Sequence, residues 1–337
     1  MEKQNKEDLI QLTAAELTDF WEMYQYESLS WCGLTFFLTH INDEEIKKIL
    51  EHGLKLAEKR KEIAVQYLNE ANYPIPQGFT EQDVFLHAPR LFSDKMYLFY
   101  IQNATQLECV SYGGAVINAA RLDVIDIFKD ILIDSVNLHT KAKELMKEKG
   151  LYLRIPSIPP PKQTDFVNKE SFIKGWFGER RPLVGSEITE LAFNAKRNAI
   201  GQAVITAFSQ VVQSDAIRKF FKRGRDIARK HVDVFSSILK ENQLGDSVTS
   251  LISEVTDSTD PPFSDKLMLS FITFLISSGI GHYGLAIAMI PRRDIGIQYT
   301  RLTGEIVKYA EDGIELLIEN GWLEQPPTAL DREGLTE

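Results

Sequence analysis

Cysteine is nearly absent: two residues in 337, Cys32 and Cys109. Each lies in an apolar segment, far from the other, so the chain carries neither a C-x-x-C redox pair nor a zinc knuckle. Both read as small buried hydrophobes of a reducing compartment. Histidine is scarce as well, with six residues. Basic charge is in deficit, 38 Lys and Arg against 48 Asp and Glu, for a net charge of −10, which argues against general nucleic-acid binding. The opening "MEKQNKEDLIQ" has no apolar stretch of the secretory kind, and the expectation is a cytoplasmic protein. No Ser-His-Asp, Cys-His or phosphate-loop arrangement stands out.

What the chain does have is a copy of itself. Sliding the sequence by 171 residues lays "RLFSDKMYLFYI" (90–101) over "PPFSDKLMLSFI" (261–272) without a gap. Glu16 falls on Glu187, Gly53 on Gly224, Tyr112-Gly113 on Tyr283-Gly284, Arg121 on Arg292, Asp123 on Asp294, Gly150 on Gly321 and Pro156 on Pro327. The spacing predicts an internal duplication, so the two halves share one fold.

Within a half the apolar period is helical. Leu17, Phe20, Tyr24, Glu27, Trp31, Leu34 and Leu38 trace one stripe, and Ile46, Ile49, Gly53, Leu56, Arg60, Ile63 and Tyr67 a second. A third helix starts at Ser93-Asp94, where the hydroxyl caps and the acid meets the positive helix end. A fourth runs from "RLD" to Gly150. Short connections join helices one to two and three to four, while a long segment, "NYPIPQGFTEQDVFLHAPRLF", joins two to three. Two hairpins with one long crossover is the ferritin-like arrangement; a plain up-down-up-down bundle is the alternative. The predicted organisation is all-α, two tandem four-helix bundles. The first spans residues 1–154 and the second 183–328. A Pro-rich, aromatic linker occupies 155–182, with Phe172, Trp176 and Phe177 packing on a bundle, and a tail occupies 329–337.

Near the end of the chain "GIGHYG" places Gly279, Gly281 and Gly284 in a G-x-G-x-x-G spacing, with Glu305 beyond it. The duplication sets these glycines in mid-helix, opposite "ECVSYG", without a surrounding βαβ unit, and the dinucleotide reading fails. The run Leu267–Ile290 contains no Asp, Glu, Lys or Arg and is long enough to span a bilayer. Its first-half counterpart carries Gln102, Asn103, Gln106 and Glu108. The expectation is therefore a soluble helix buried on all sides, with Gly279, Gly281 and Gly284 at a contact between bundles or subunits.

Di-iron bundles place Glu-x-x-His on two of their helices. Three residues before His40, His52, His87, His139, His231 and His282 stand Phe, Ile, Val, Val, Ala and Gly, so the motif is missing. Polar residues nevertheless break the apolar stripes at that level: Glu27, Glu108 and Arg60. A structural cluster, with Arg60 bridging both carboxylates, is one reading. Exposure of its members is a second. An iron or manganese site is the third, drawing ligands from Glu27, Glu58, Glu108, Asp134 and His139. The second half has Asn198, His231 and Gly279 at the three positions, so the charges leave together. The basic stretch "IRKFFKRGRDIARKH" (217–231) reads as a solvated helix face or a dock for an acidic surface.

The repeated F-S-D-K helix start, the "FTEQDV" before it, "RRD" between the last two helices and the closing "NGWLEQPP" carry a resemblance over residues 12–328. The chain resembles an uncharacterised family of endospore-forming bacteria, duplicated ferritin-like bundles distantly similar to spore-coat F-type proteins. The resemblance implies that fold and a link to sporulation, and transfers no catalytic residue. The expected function is a non-catalytic structural or interaction protein acting with a protein partner or a second copy, without cofactor. The alternatives are a metal-binding or oxidase-like protein and a binder of a small apolar ligand.

Overall fold

The computed structural model describes residues 11–175, 180–245, 250–332 and 334. Trp176 and Phe177 of the linker lie outside them, as do the first ten residues. Eight α-helices form among the described residues: α1 (Ala14–His40), α2 (Glu44–Glu70), α3 (Asp94–Asn118), α4 (Leu122–Glu148), α5 (Gly185–Val211), α6 (Asp215–Glu241), α7 (Asp265–Met289) and α8 (Arg293–Glu319). Each helix of the first half has a counterpart of equal length in the second. The chain is a tandem duplication of all-helical bundles.

Local chemistry sets the ends. Thr13 caps α1, its hydroxyl accepting from Glu16 N at 3.3 Å while Glu16 Oε2 accepts from Thr13 N at 2.7 Å. Asp43 caps α2 through Glu45 N and Ile46 N, and Ser264 caps α7 through Leu267 N. Just past α4 and α8 stand Gly150 and Gly321, both at φ 68°, where the left-handed backbone that stops a helix suits glycine.

The chain divides into two compact units. The first comprises Met1–His87, Tyr97–Lys149 and Trp322–Glu337; the second comprises Ala88–Met96 and Gly150–Gly321. The units follow the two repeats except for two segments, the run before α3 and the C-terminal stretch. In the second unit Phe92 forms an antiparallel bridge with Val255, and Ser93 N donates to Glu254 O at 2.9 Å. In the first unit the Glu324 carboxylate accepts from Gln77 N and Gly78 N, both at 2.8 Å. Gly78 is at φ +57°, and a Cβ there would come within 2.6 Å of Ser28 Oγ, so only glycine fits this turn.

Contacts fix the helix directions. The start of α1 meets the end of α3, where Glu16 Oε1 accepts from Ala120 N and Arg121 N. The end of α1 meets the start of α3, where Phe37 stacks on Tyr97 at 4.3 Å. Helix α2 runs against α4: Tyr67 donates to Asp123, and Lys149 pairs with Asp43 and Glu45. Helices α2 and α3 are therefore parallel, joined by the crossover, in an up-down-down-up bundle. The second unit repeats it, with Glu187 accepting from Arg292 N across α5 and α7 and Tyr309 of α8 donating to Phe220 O of α6. The first core is aromatic, Phe20 stacking on Tyr67 and Phe128.

Helix α7 corrects one expectation. It is long and apolar enough to cross a membrane, yet only a third of its most apolar window is buried. Burial is one-sided, with Leu285 54% and Met289 52% exposed. Packing against α5 and α8 covers Leu267, Met268, Ile272, Tyr283 and Ala286 and leaves the opposite strip open.

Candidate functional site

Midway along the first bundle, residues from all four helices meet at a buried centre. Arg60 of α2 donates from Nη1 to Glu27 Oε1 of α1 at 3.1 Å and to Glu108 Oε2 of α3 at 2.9 Å. From Nη2 it donates to Ser135 Oγ of α4 at 2.7 Å. Ser135 Oγ in turn donates to Glu108 Oε2 at 2.8 Å. Tyr112 donates its hydroxyl to Glu27 Oε1 at 2.6 Å, and its ring lies 5.2 Å from the guanidinium carbon. All five residues are buried, Glu27 and Arg60 at 1% and 2% exposure. Arg60 Nε alone among its nitrogens has no partner.

The electrostatics follow from one cation facing two anions. Burial pushes the Glu27 carboxyl above the usual range, Arg60 offsets part of that, and the nearby Glu108 charge adds to it. Burial disfavours the Arg60 cation, but Glu108 and Glu27 outweigh it and hold its pKa above the ordinary value. The guanidinium thus stands at mid-bundle, between the carboxylates of α1 and α3.

The other metal candidates stand apart. Glu58 is exposed, Asp134 pairs with Lys59 at 3.2 Å, and His139 Nδ1 lies 3.1 Å from the Thr105 hydroxyl. Among the described residues no group of three or more His, Cys, Asp or Glu is placed to hold a metal ion.

In the second unit the three positions are rebuilt without a buried ion pair at the centre. His231 is fully buried; its Nδ1 lies 2.8 Å from Tyr283 Oη and its Nε2 3.1 Å from Glu305 Oε2. Asn198 donates to the same Tyr283 hydroxyl at 2.8 Å. Burial lowers the His231 pKa, with Glu305 opposing it. Ile306, the counterpart of Ser135, approaches Gly279, where a Cβ would sit 4.0 Å from its Cδ1. A Cβ at Gly281 or Gly284 would meet nothing within 4 Å. Glu305, the acid twenty residues beyond "GIGHYG", sits on α8 and also pairs with Lys230.

Other residues fall as follows. Cys32 is buried and Cys109 half-buried, both free thiols, and burial pushes Cys32 up to about 12. Phe172 of the linker is half-buried beneath the Arg181 guanidinium, 4.1 Å from its ring. Of the basic stretch on α6, Ile217, Phe220, Phe221, Gly224, Ala228 and His231 face inward, and Arg223 pairs with Asp312. Glu16 and Glu187 went unrecognised from sequence as buried acids. Each is fully buried and accepts main-chain N–H groups at its own helix start and at the distant α3–α4 or α7–α8 turn. Their identity across the repeats was the signal, obscured because an acid in a first turn ordinarily sits in solvent. Asp265, half-buried at the start of α7, accepts from Gln213 N and Ser214 N at the α5–α6 turn.

A family model described as "Protein of unknown function (DUF3231)" matches residues 3–164 and again residues 171–335. No curated protein matches the chain. Among solved structures, a proposed spore coat protein of Bacillus halodurans C-125 is similar at 19% identity and a TM-score of 0.40, covering 48% of this chain and 100% of that one. That likeness is too loose to speak for function.

Proposed function

We propose, from the premise that this chain belongs to the DUF3231 family of proteins of unknown function in two tandem copies, that it is a non-catalytic helical scaffold acting through protein contacts. The observation that carries this reading is the self-sufficiency of both polar centres. Glu27 and Glu108 are engaged by Arg60, Tyr112 and Ser135, and both ring nitrogens of His231 face a partner side chain. The up-down-down-up connectivity is that of ferritin-like bundles, so the reading is of such a bundle with a guanidinium in place of a metal. Outward apolar residues on the third helix of each repeat support the contact role: Val110 and Ile117 on α3, 62% and 82% exposed, and Leu285 and Met289 on α7. A cytoplasmic location and a role in sporulation rest on sequence character and family resemblance.

Metal analysis of protein purified without an affinity tag tests the first half of the proposal. Near-stoichiometric iron or manganese that disappears in Glu27→Ala overturns it in favour of a metal-binding or oxidase-like protein. Sedimentation of wild type against Ile117→Glu and Leu285→Glu, alone and with complexes recovered from sporulating and growing cells, tests the second. Assemblies unchanged by both substitutions remove these strips as the contact.

A further inference from the structure

The duplication gives the second unit an internal control. Positions that differ together between the copies, and touch one another, point to a separate task. Such a group lies on the seam between α5 and α7. Arg197, near the middle of α5, donates from Nη2 to Ser278 Oγ of α7 at 2.9 Å. Its Nη1 is buried without a hydrogen-bond partner. No carboxylate balances it among the described residues: burial lowers its pKa to about 10, and Tyr283 is the one group acting against that. One turn back on α5, the Phe193 ring lies 5.7 Å from the guanidinium carbon. That ring meets the His282 imidazole edge-on at 5.2 Å, one turn beyond Ser278 on α7. A desolvated guanidinium without an anion is costly, and buried charges are as a rule paired.

In the first repeat the matching residues are Tyr26 for Arg197, Leu107 for Ser278, Val110 for Gly281, Ser111 for His282 and Ser30 for Gly201. The second copy gains a cation and an imidazole where it loses bulk at three neighbouring positions. A Cβ at Gly201 or Gly281 would meet nothing within 4 Å, and Gly281 is exposed, so the seam opens to solvent one turn along α7 from Ser278. We infer that this seam binds an oxyanion group, a carboxylate or a phosphate. Arg197 Nη1 is its charge partner, and the Ser278 hydroxyl and His282 ring supply the flanking polar contacts. A planar guanidinium with unused donors matches the geometry of either group. This site is independent of the scaffold reading and of the first buried centre, and it adjoins the second through Tyr283.

The test is calorimetric titration and thermal unfolding of the full chain at constant ionic strength, with inorganic phosphate in one arm, acetate in the other and chloride as the reference. Saturable binding in one arm identifies the group. Arg197→Met is expected to weaken it by at least about tenfold, equivalent to about 1.4 kcal/mol. Arg197→Lys recovers part, and Tyr26→Phe changes nothing. Gly281→Val, which restores the first repeat's bulk while keeping the cation, is expected to weaken binding as well. Without anion, Arg197→Met is expected to melt no lower than wild type, since it removes a half-buried charge that has no anionic partner. The inference is overturned if neither anion binds better than chloride, if Arg197→Met binds undiminished, or if that variant is destabilised without anion, since the guanidinium would then already have its partner.

Discussion

Removing the Arg60 guanidinium leaves Glu27 and Glu108 facing each other in a buried centre with no cation between them. Breaking a buried pair from one side costs about 3–5 kcal/mol, and Arg60→Met is expected to lose that much in urea denaturation of the full chain. A loss below about 0.5 kcal/mol, the scale of an exposed pair, would mean the carboxylates are solvated. Asp19 on α1 gives a prediction of a different kind. Its Oδ2 is buried without a partner, and burial, followed by the charges of Glu22 and Glu16, raises its pKa from 3.8 to about 6. The folded state therefore binds this proton more tightly than the unfolded chain, and the contribution, full below pH 3.8, is lost as pH rises to about 6. Asp19→Asn is expected to gain stability relative to wild type between pH 4 and 6, read as the difference of their melting temperatures across that window; a constant difference refutes the assignment. Glu27 and Arg60 were legible because a charge interrupts an apolar stripe. Ser135 and Tyr112 complete the same network, but a serine or tyrosine on a helix face carries no such mark, and which of them meets a carboxylate is decided by four helices together.

At the scale of elements, the close approach of α6 and α8 depends on Gly224. A Cβ there would stand 2.0 Å from the Tyr309 hydroxyl oxygen, 2.5 Å from its Cζ, and that hydroxyl is held by Phe220 O at 3.1 Å. The matching Gly53 would place a Cβ 3.0 Å from Ile101 Cδ1, the free end of an aliphatic chain. Gly224→Ala is therefore expected to cost about 1–3 kcal/mol as overpacking, and Gly53→Ala less, measured by thermal unfolding. Pairing Gly224→Ala with Tyr309→Leu, the residue that the first repeat carries as Leu138, is expected to relieve the clash. If the double variant is no better than the sum of the singles, the ring is not the obstacle. Helix identities were readable from period, caps and the two glycine stops. The surroundings of α7 were not: an uncharged run reports what the helix tolerates, while burial depends on how many neighbours pack on it, and here two leave a strip with Leu285 and Met289 outward.

At the scale of the whole molecule the two repeats are not two self-contained pieces of chain. Ala88–Met96 comes from the first repeat and belongs to the second compact unit, where Phe92 is 3% exposed and meets Phe208 edge-on at 6.4 Å. Phe208 is itself ringed by Phe221, Phe263 and Phe271, and the same segment gives Thr256 N its acceptor in Leu91 O. Sequence self-alignment conceals this, because it matches Phe92 to Phe263 and assigns each to its own half; the alignment preserves order along the chain and says nothing of which core a residue enters. Truncating a buried phenylalanine costs about 3–5 kcal/mol. Phe92→Ala is accordingly expected to destabilise the unit built on α5 and α6, although the substitution lies in the first repeat. Hydrogen exchange resolved by segment distinguishes the possibilities: amides of α5 and α6 are expected to lose protection while those of α1 and α2 keep theirs. Loss confined to α1 and α2 would return Phe92 to the first unit and make each repeat a self-contained bundle.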